Sequence, residues 1–199
     1  MTTRGAKIIG RAVSLALACL ALNTASATSL EDRIGSWITE PGVSPPSYAV
    51  TEPIDSDLSV DTSVLLCSET PHGRVIEFDL YLSEPGLLLP NGADPHSLKD
   101  NPSVEIVIDD RTFGADLLFA DEYVVVADGV GGHQPFLSEG LLDALQYGRT
   151  MVLRFDLLRE GADQLRRFDS QLVVDLRFGQ TAIAAVRRCT AAGAVQARR

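Results

Sequence analysis

The sequence predicts a mainly β fold: an antiparallel β-sandwich-like single domain with one mid-chain helix and one C-terminal helix. Three observations predict it. Segments of strand period joined by short turns dominate residues 60–176. Only two stretches carry a helical apolar stripe, too few to cover a parallel sheet. Cys67 and Cys189 lie near opposite ends of this region, the first in an apolar strand and the second on the apolar face of a helix. With 199 residues, 45% of them hydrophobic, the chain is long enough for one domain with a real core.

Residues 1–27 have the layout of a signal peptide. Arg4, Lys7 and Arg11 form a positive start, residues 12–22 are apolar but short for a bilayer, and Ala25-Ser26-Ala27 ends the segment with small residues. Cleavage after Ala27 would begin the exported chain at Thr28. An uncleaved anchor is disfavoured because Asn23, Thr24 and Ser26 break the apolar segment. A lipoprotein acylated at Cys19 is the other alternative, although Ala16 stands where that signal wants leucine. The formal charge of −10 becomes more negative once this basic segment is gone, which makes nucleic acid and anionic membrane surfaces poor partners. No later segment approaches the length of a membrane span.

Residues 28–59 read as an N-terminal arm in which Pro41, Pro45, Pro46 and Pro53 interrupt any helix. Trp37, Ile38, Tyr48 and Val50 are apolar enough to dock as short edge segments, with Trp37 as an anchor. The main domain spans 60–193. Residues 63–68 form a buried strand ending at Cys67, and 70–73 turn the chain into a second strand, 74–82. There Ile76, Phe78, Leu80 and Leu82 alternate with Val75, Glu77, Asp79 and Tyr81, which predicts one core face and one largely wet face. Residues 83–102 are a long loop holding Leu87, Leu88 and Leu89. Loops of that length are uncommon in compact domains, so these leucines, with His96 and His133 on loops, are the candidate partner surface; a short edge strand folded back on the sheet is the competing reading.

Three further strands, 104–108, 112–119 and 122–127, form a meander with turns at Asp109-Asp110 and Asp121. The glycine-rich stretch 128–134 reads as a connecting loop. Residues 135–147 are the first helix, with Ser138 as its cap, Leu141, Leu142 and Leu145 as its stripe, and Gly148 expected to end it in a left-handed turn. Strand period returns at 149–158, where Met151, Leu153, Phe155 and Leu157 share a face, then a turn at 160–163 and a strand at 168–176. The second helix, 180–192, places Ala182, Ile183, Val186 and Cys189 on one face, Gly193 is expected to close it, and 194–199 should fray.

Chemistry-bearing motifs are missing from the sequence. It holds no Gly-x-Ser-x-Gly elbow, no His-Glu-x-x-His, no Cys-x-x-Cys and no glycine-rich dinucleotide fingerprint. Asp55, Asp57 and Asp61 have the first spacings of a calcium loop, but Val60 takes the glycine position and Leu66 the glutamate position. His96, Asp94 and His133 are the one catalytic or metal trio that loops could assemble; wet loop residues are the simpler reading. No cofactor or metal is therefore expected, nor an enzyme. With Cys19 removed, Cys67 and Cys189 are an even pair, and in an oxidising compartment a disulfide between them is expected over two free buried thiols.

The order of elements resembles two groups of small exported bacterial proteins. The strand ending in Cys67, the segment Val104-Glu105-Ile106-Val107-Ile108-Asp109, the mid-chain helix, and the ending Val173-Val174-Asp175-Leu176 with Gln180-Thr181-Ala182-Ile183 leading to Arg187-Arg188-Cys189 are similar to the type VI secretion-associated VasI/TagO family and the invasion-associated locus B family. Arg177 stands where those families would have glycine, and no tryptophan follows Cys189. The resemblance implies an exported, β-rich accessory protein of a secretion or host-interaction system. The expected function is thus a non-catalytic envelope interaction protein, with an envelope protein as partner. A periplasmic small-ligand binding module is the alternative, and a hydrolase stands third.

Overall fold

The computed structural model describes residues 36–83, 86–131, 134–159 and 167–196. The signal segment, the start of the arm, His133, the turn at 160–163 and the last three residues lie outside them. Twelve strands and two helices follow one another as β1 (Ile38–Thr39), β2 (Tyr48–Thr51), β3 (Asp55–Ser56), β4 (Val60–Thr70), β5 (Gly73–Leu82), β6 (Leu98–Ile108), β7 (Arg111–Phe119), β8 (Tyr123–Ala127), β9 (Gly129–Gly131), β10 (Gln134–Phe136), α1 (Glu139–Tyr147), β11 (Thr150–Leu158), β12 (Ser170–Asp175) and α2 (Gln180–Gln196). Ten strands form one antiparallel sheet in the order β1-β2-β4-β5-β8-β7-β6-β11-β12-β3.

Two features curl this sheet into a sandwich-like shape. Strand β7 changes partner along its length: Arg111 to Ala115 pair with β6, and Asp116 to Phe119 pair with β8. It therefore belongs to both layers. The arm then ties the two edges together, because β2 extends one end of the sheet beside β4 while β3 extends the other beside β12. Only Glu52, Pro53 and Ile54 separate β2 from β3, a span of at most about 14 Å, so these strands from opposite ends of the sheet must approach one another. Docking as short edge segments is what the arm's prolines and apolar residues predicted.

The inward face of each layer is apolar at every second position. Leu65, Ile76, Phe78, Leu80, Val124 and Val126 of one layer meet Ile106, Met151, Leu153, Phe155, Leu172 and Val174 of the other, all buried. Both helices close the core on this inner side. Ser138 caps α1 by accepting from the Leu141 N–H at 3.2 Å, and Asp128 in turn accepts from the Ser138 N–H at 2.6 Å. Leu141, Leu142 and Leu145 are buried, as are Ala182, Ile183, Val186 and Cys189 of α2. Arg187 bridges the helices, reaching Glu139 at 2.7 Å and Asp143 at 2.9 Å.

A disulfide joins Cys67 on β4 to Cys189 on α2, with Cα atoms 6.5 Å apart. Trp37 anchors the arm: its indole N–H donates to the Asp175 carbonyl at 2.9 Å, and the ring lies so close to Gly179 that a Cβ there would sit 2.7 Å from Nε1.

Several local expectations are corrected. Residues 135–136 belong to β10, so the helix starts at Glu139, and 129–136 form a small β9–β10 hairpin where a plain loop was expected. Gly148 ends α1 at φ −74°, outside the left-handed region; glycine is needed because a Cβ would meet Ile108 Cγ2 at 2.4 Å and the Ala144 carbonyl oxygen at 2.6 Å. Gly193 does not close α2, which runs on to Gln196; one helical glycine costs only about 1 kcal/mol, too little by itself to stop a helix. The long loop is shortened, since β6 already begins at Leu98.

Candidate functional site

Among the described residues the three candidate leucines divide between core and surface. Leu88 is 0% exposed and belongs to the core, whereas Leu87 is 49% exposed and Leu89 half-buried. The segment is folded back on the domain by the Leu58–Pro90 bridge and by the Asn91 N–H donating to the Asp57 carbonyl at 2.8 Å. Backbone pairing on one side and a buried leucine on the other make it part of the wall. His96 is exposed in a single 3₁₀ turn, Pro95–Ser97, and its own backbone N–H occupies the Asp94 carboxylate at 2.9 Å. His133, and with it the trio with Asp94, lies outside the described residues. No group of three or more His, Cys, Asp or Glu is placed to hold a metal ion among the described residues.

Two surface depressions are open to solvent. One of about 450 Å³ is lined by Arg154, Arg167, Phe168 and Asp169 among others. Arg154 and Arg167 both reach Glu105, at 3.4 and 4.0 Å, and Asp169 accepts from the Leu157 and Leu158 N–H groups at 2.8 and 2.7 Å. A second, of about 480 Å³, lies between the Thr70 to Val75 hairpin tip and Phe136, with His72 on its rim. No helix among the described residues is long and apolar enough to cross a membrane.

The feature that stands apart is on the outer face of the sheet, away from the helices. Strand register sets which side chains share it. Asp79 on β5 lies across from Val64 on β4 and Val125 on β8; Glu77 lies across from Leu66, and Tyr81 across from Tyr123. Val64 and Val125 are buried, the two tyrosine rings are stacked with centroids 5.3 Å apart, and Tyr81 is 37% exposed. Glu77 and Asp79 were expected on a wet face; Glu77 is 7% and Asp79 0% exposed. The correction has a clear cause: β5 is an interior strand flanked by apolar neighbours on both sides, so short acidic side chains are overtopped.

Among the described residues neither carboxylate oxygen of Asp79 has a hydrogen bond, and no ion pair reaches it. Burial, then the nearby charge of Glu77, pushes its pKa up to about 7. Glu77 is also raised by burial, opposed by the Ser68 hydroxyl that donates to it at 3.0 Å. Tyr81 is raised by burial first, then by Asp79, Tyr123 and Glu122. Native structures pair almost all buried polar groups, so a carboxylate without a hydrogen bond among the described residues, next to a stacked tyrosine pair, singles out this face.

The strand's own alternation hid this site, but its neighbours carried a signal. Residues 64–66 and 123–126 are continuously apolar instead of alternating, the mark of strands covered on both faces. No family model matches the chain, and no curated protein and no solved structure matches it either.

Proposed function

We propose that this chain is an exported, non-catalytic interaction protein of the bacterial envelope, using the outer sheet face around Asp79, Tyr81 and Tyr123 to hold a protein partner. The orphan Asp79 carboxylate within a largely apolar, aromatic-edged face is the observation that carries the reading. A face of valines and a tyrosine pair suits protein recognition better than catalysis, which needs convergent acid, base or nucleophile within bonding reach of a substrate. Export is supported by the N-terminal signal layout and by the Cys67–Cys189 disulfide, a bond suited to an oxidising compartment. The resemblance to the VasI/TagO and invasion-associated locus B families supports the same setting.

A photo-crosslinking residue placed at position 81 in producing cells tests this. Irradiation should give a discrete heavier band in the envelope fraction from position 81 and none from position 188, where Arg188 is exposed on the helix side. Equal results at the two positions, or no adduct at 81, overturn the proposal.

A further inference from the structure

We infer that the face centred on Asp79 receives an arginine side chain from the partner protein, whose guanidinium pairs with Asp79 and lies against the Tyr81–Tyr123 stack. This rests on the interaction reading above and specifies the chemistry of the partner.

The site is built for a cation. Among the described residues Asp79 has no hydrogen bond or ion pair and Glu77 has only the Ser68 hydroxyl, while Arg74, Arg154, Arg177 and Arg187 pair with other carboxylates. The titratable groups facing Asp79 are all acidic or phenolic: Glu77 and Tyr81 on β5, Tyr123 and the preceding Glu122 at β8, and Asp116 on β7, which shares this face through its pairing with Ala127. On β4 the facing side chains, Thr62, Val64, Leu66 and Ser68, carry no charge. A net charge of −10 also favours a basic partner.

Guanidinium fits better than the other cations. A divalent metal would want more oxygen ligands than two carboxylates supply, and no ligand cluster is present among the described residues. A lysine ammonium is strongly hydrated, which penalises it on a face walled by Val64, Leu66 and Val125. The arginine fork is planar, more weakly hydrated, able to bond a carboxylate through two N–H groups and to stack on tyrosine. Tyr81, two residues along β5 on the same face and more than a third exposed, is the neighbour through which a partner side chain would approach Asp79.

The probe is a capped Leu-Arg-Leu peptide beside its citrulline twin, which keeps the shape and loses the charge. Binding to the full exported chain is measured at pH 8 and pH 5, with the Asp79 carboxyl followed by carbon-13 NMR. The arginine peptide should bind at least about tenfold tighter than the citrulline peptide at pH 8. The preference should shrink at pH 5, where Asp79 carries a proton, and Asp79 should titrate lower when the arginine peptide is bound. Asp79→Asn, which removes a buried unpaired charge and so keeps the fold, should abolish the preference. No binding of either peptide, equal binding of the two, or a preference unchanged in Asp79→Asn overturns the inference. Crosslinks from position 81 that persist in Asp79→Asn would sink the arginine alone and leave the interaction reading standing; loss of the crosslink in the unmodified protein removes that reading itself.

Discussion

Cys67 on β4 and Cys189 on α2 are joined across 122 residues, and that bond fixes the C-terminal helix to the inner face of the first long strand. Ile183 and Val186 on the same helix face are fully buried, so covalent and apolar contacts hold one interface. Cys189→Ser should lower stability by about 2–5 kcal/mol, within the range for losing a native link. Hydrogen exchange should show α2 loosening before the sheet, and a non-reduced digest should yield the Cys67 and Cys189 peptides as one species. Two free thiols in protein taken from cells in a native state would remove the link.

The two faces of β5 should respond to mutation with opposite signs. Phe78 is 1% exposed in the core, and Phe78→Ala should cost about 3–5 kcal/mol through the lost burial and the cavity left behind. Asp79 sits between Val64 and Val125 with no hydrogen bond among the described residues, so Asp79→Val should raise stability by about 1–3 kcal/mol at pH 8. Chemical denaturation at that pH checks both. A destabilised Asp79→Val would mean that the carboxylate has a partner in the free protein.

Asp79 also sets a pH dependence whose sign follows from linkage. The native state keeps its proton up to about pH 7, whereas the unfolded chain releases it near 3.8. Between those values the native state binds more protons, so stability falls as pH rises through the window and levels off above it. Compared with Asp79→Asn, the unmodified protein should lose ground by at most about 4 kcal/mol from pH 4 to pH 8. Asp175 works in the opposite direction: hydrogen bonding from Arg177 holds its pKa low, and that stabilisation is present above the unfolded value and lost as pH falls through the folded one. Parallel denaturant midpoints for the unmodified protein and Asp79→Asn across pH 4–8 would contradict the burial of an ionisable Asp79.

Gly148 offers a purely steric test. A Cβ at this position would press on Ile108 Cγ2 and on the Ala144 carbonyl oxygen, a backbone atom that cannot swing aside. Gly148→Ala should cost about 1–3 kcal/mol, although alanine is otherwise the better residue near a helix. A midpoint equal to that of the unmodified protein would show that α1 can shift away from β6 freely.

Much of the fold was legible in the sequence because it depends on local periodicity. Alternating Met151, Leu153, Phe155 and Leu157 announced β11 and its buried face, Ser138 announced the start of α1, and the stripe ending in Cys189 announced which side of α2 would be inside. Even the disulfide could be expected, since two apolar elements each presented a cysteine to the same core. Tertiary structure alone decided which faces were covered twice. Whether Glu77 and Asp79 are wet depends on β4, the hairpin neighbour, and on β8 from further along the chain, which together set Val64, Leu66 and Val125 beside them. Leu88 entered the core for a related reason: its segment is pinned to the arm through Pro90 and Asn91, contacts between residues some thirty apart. A side chain's period says which way it points, but its solvation is set by neighbours that only folding brings beside it, and the candidate site exists at that second level.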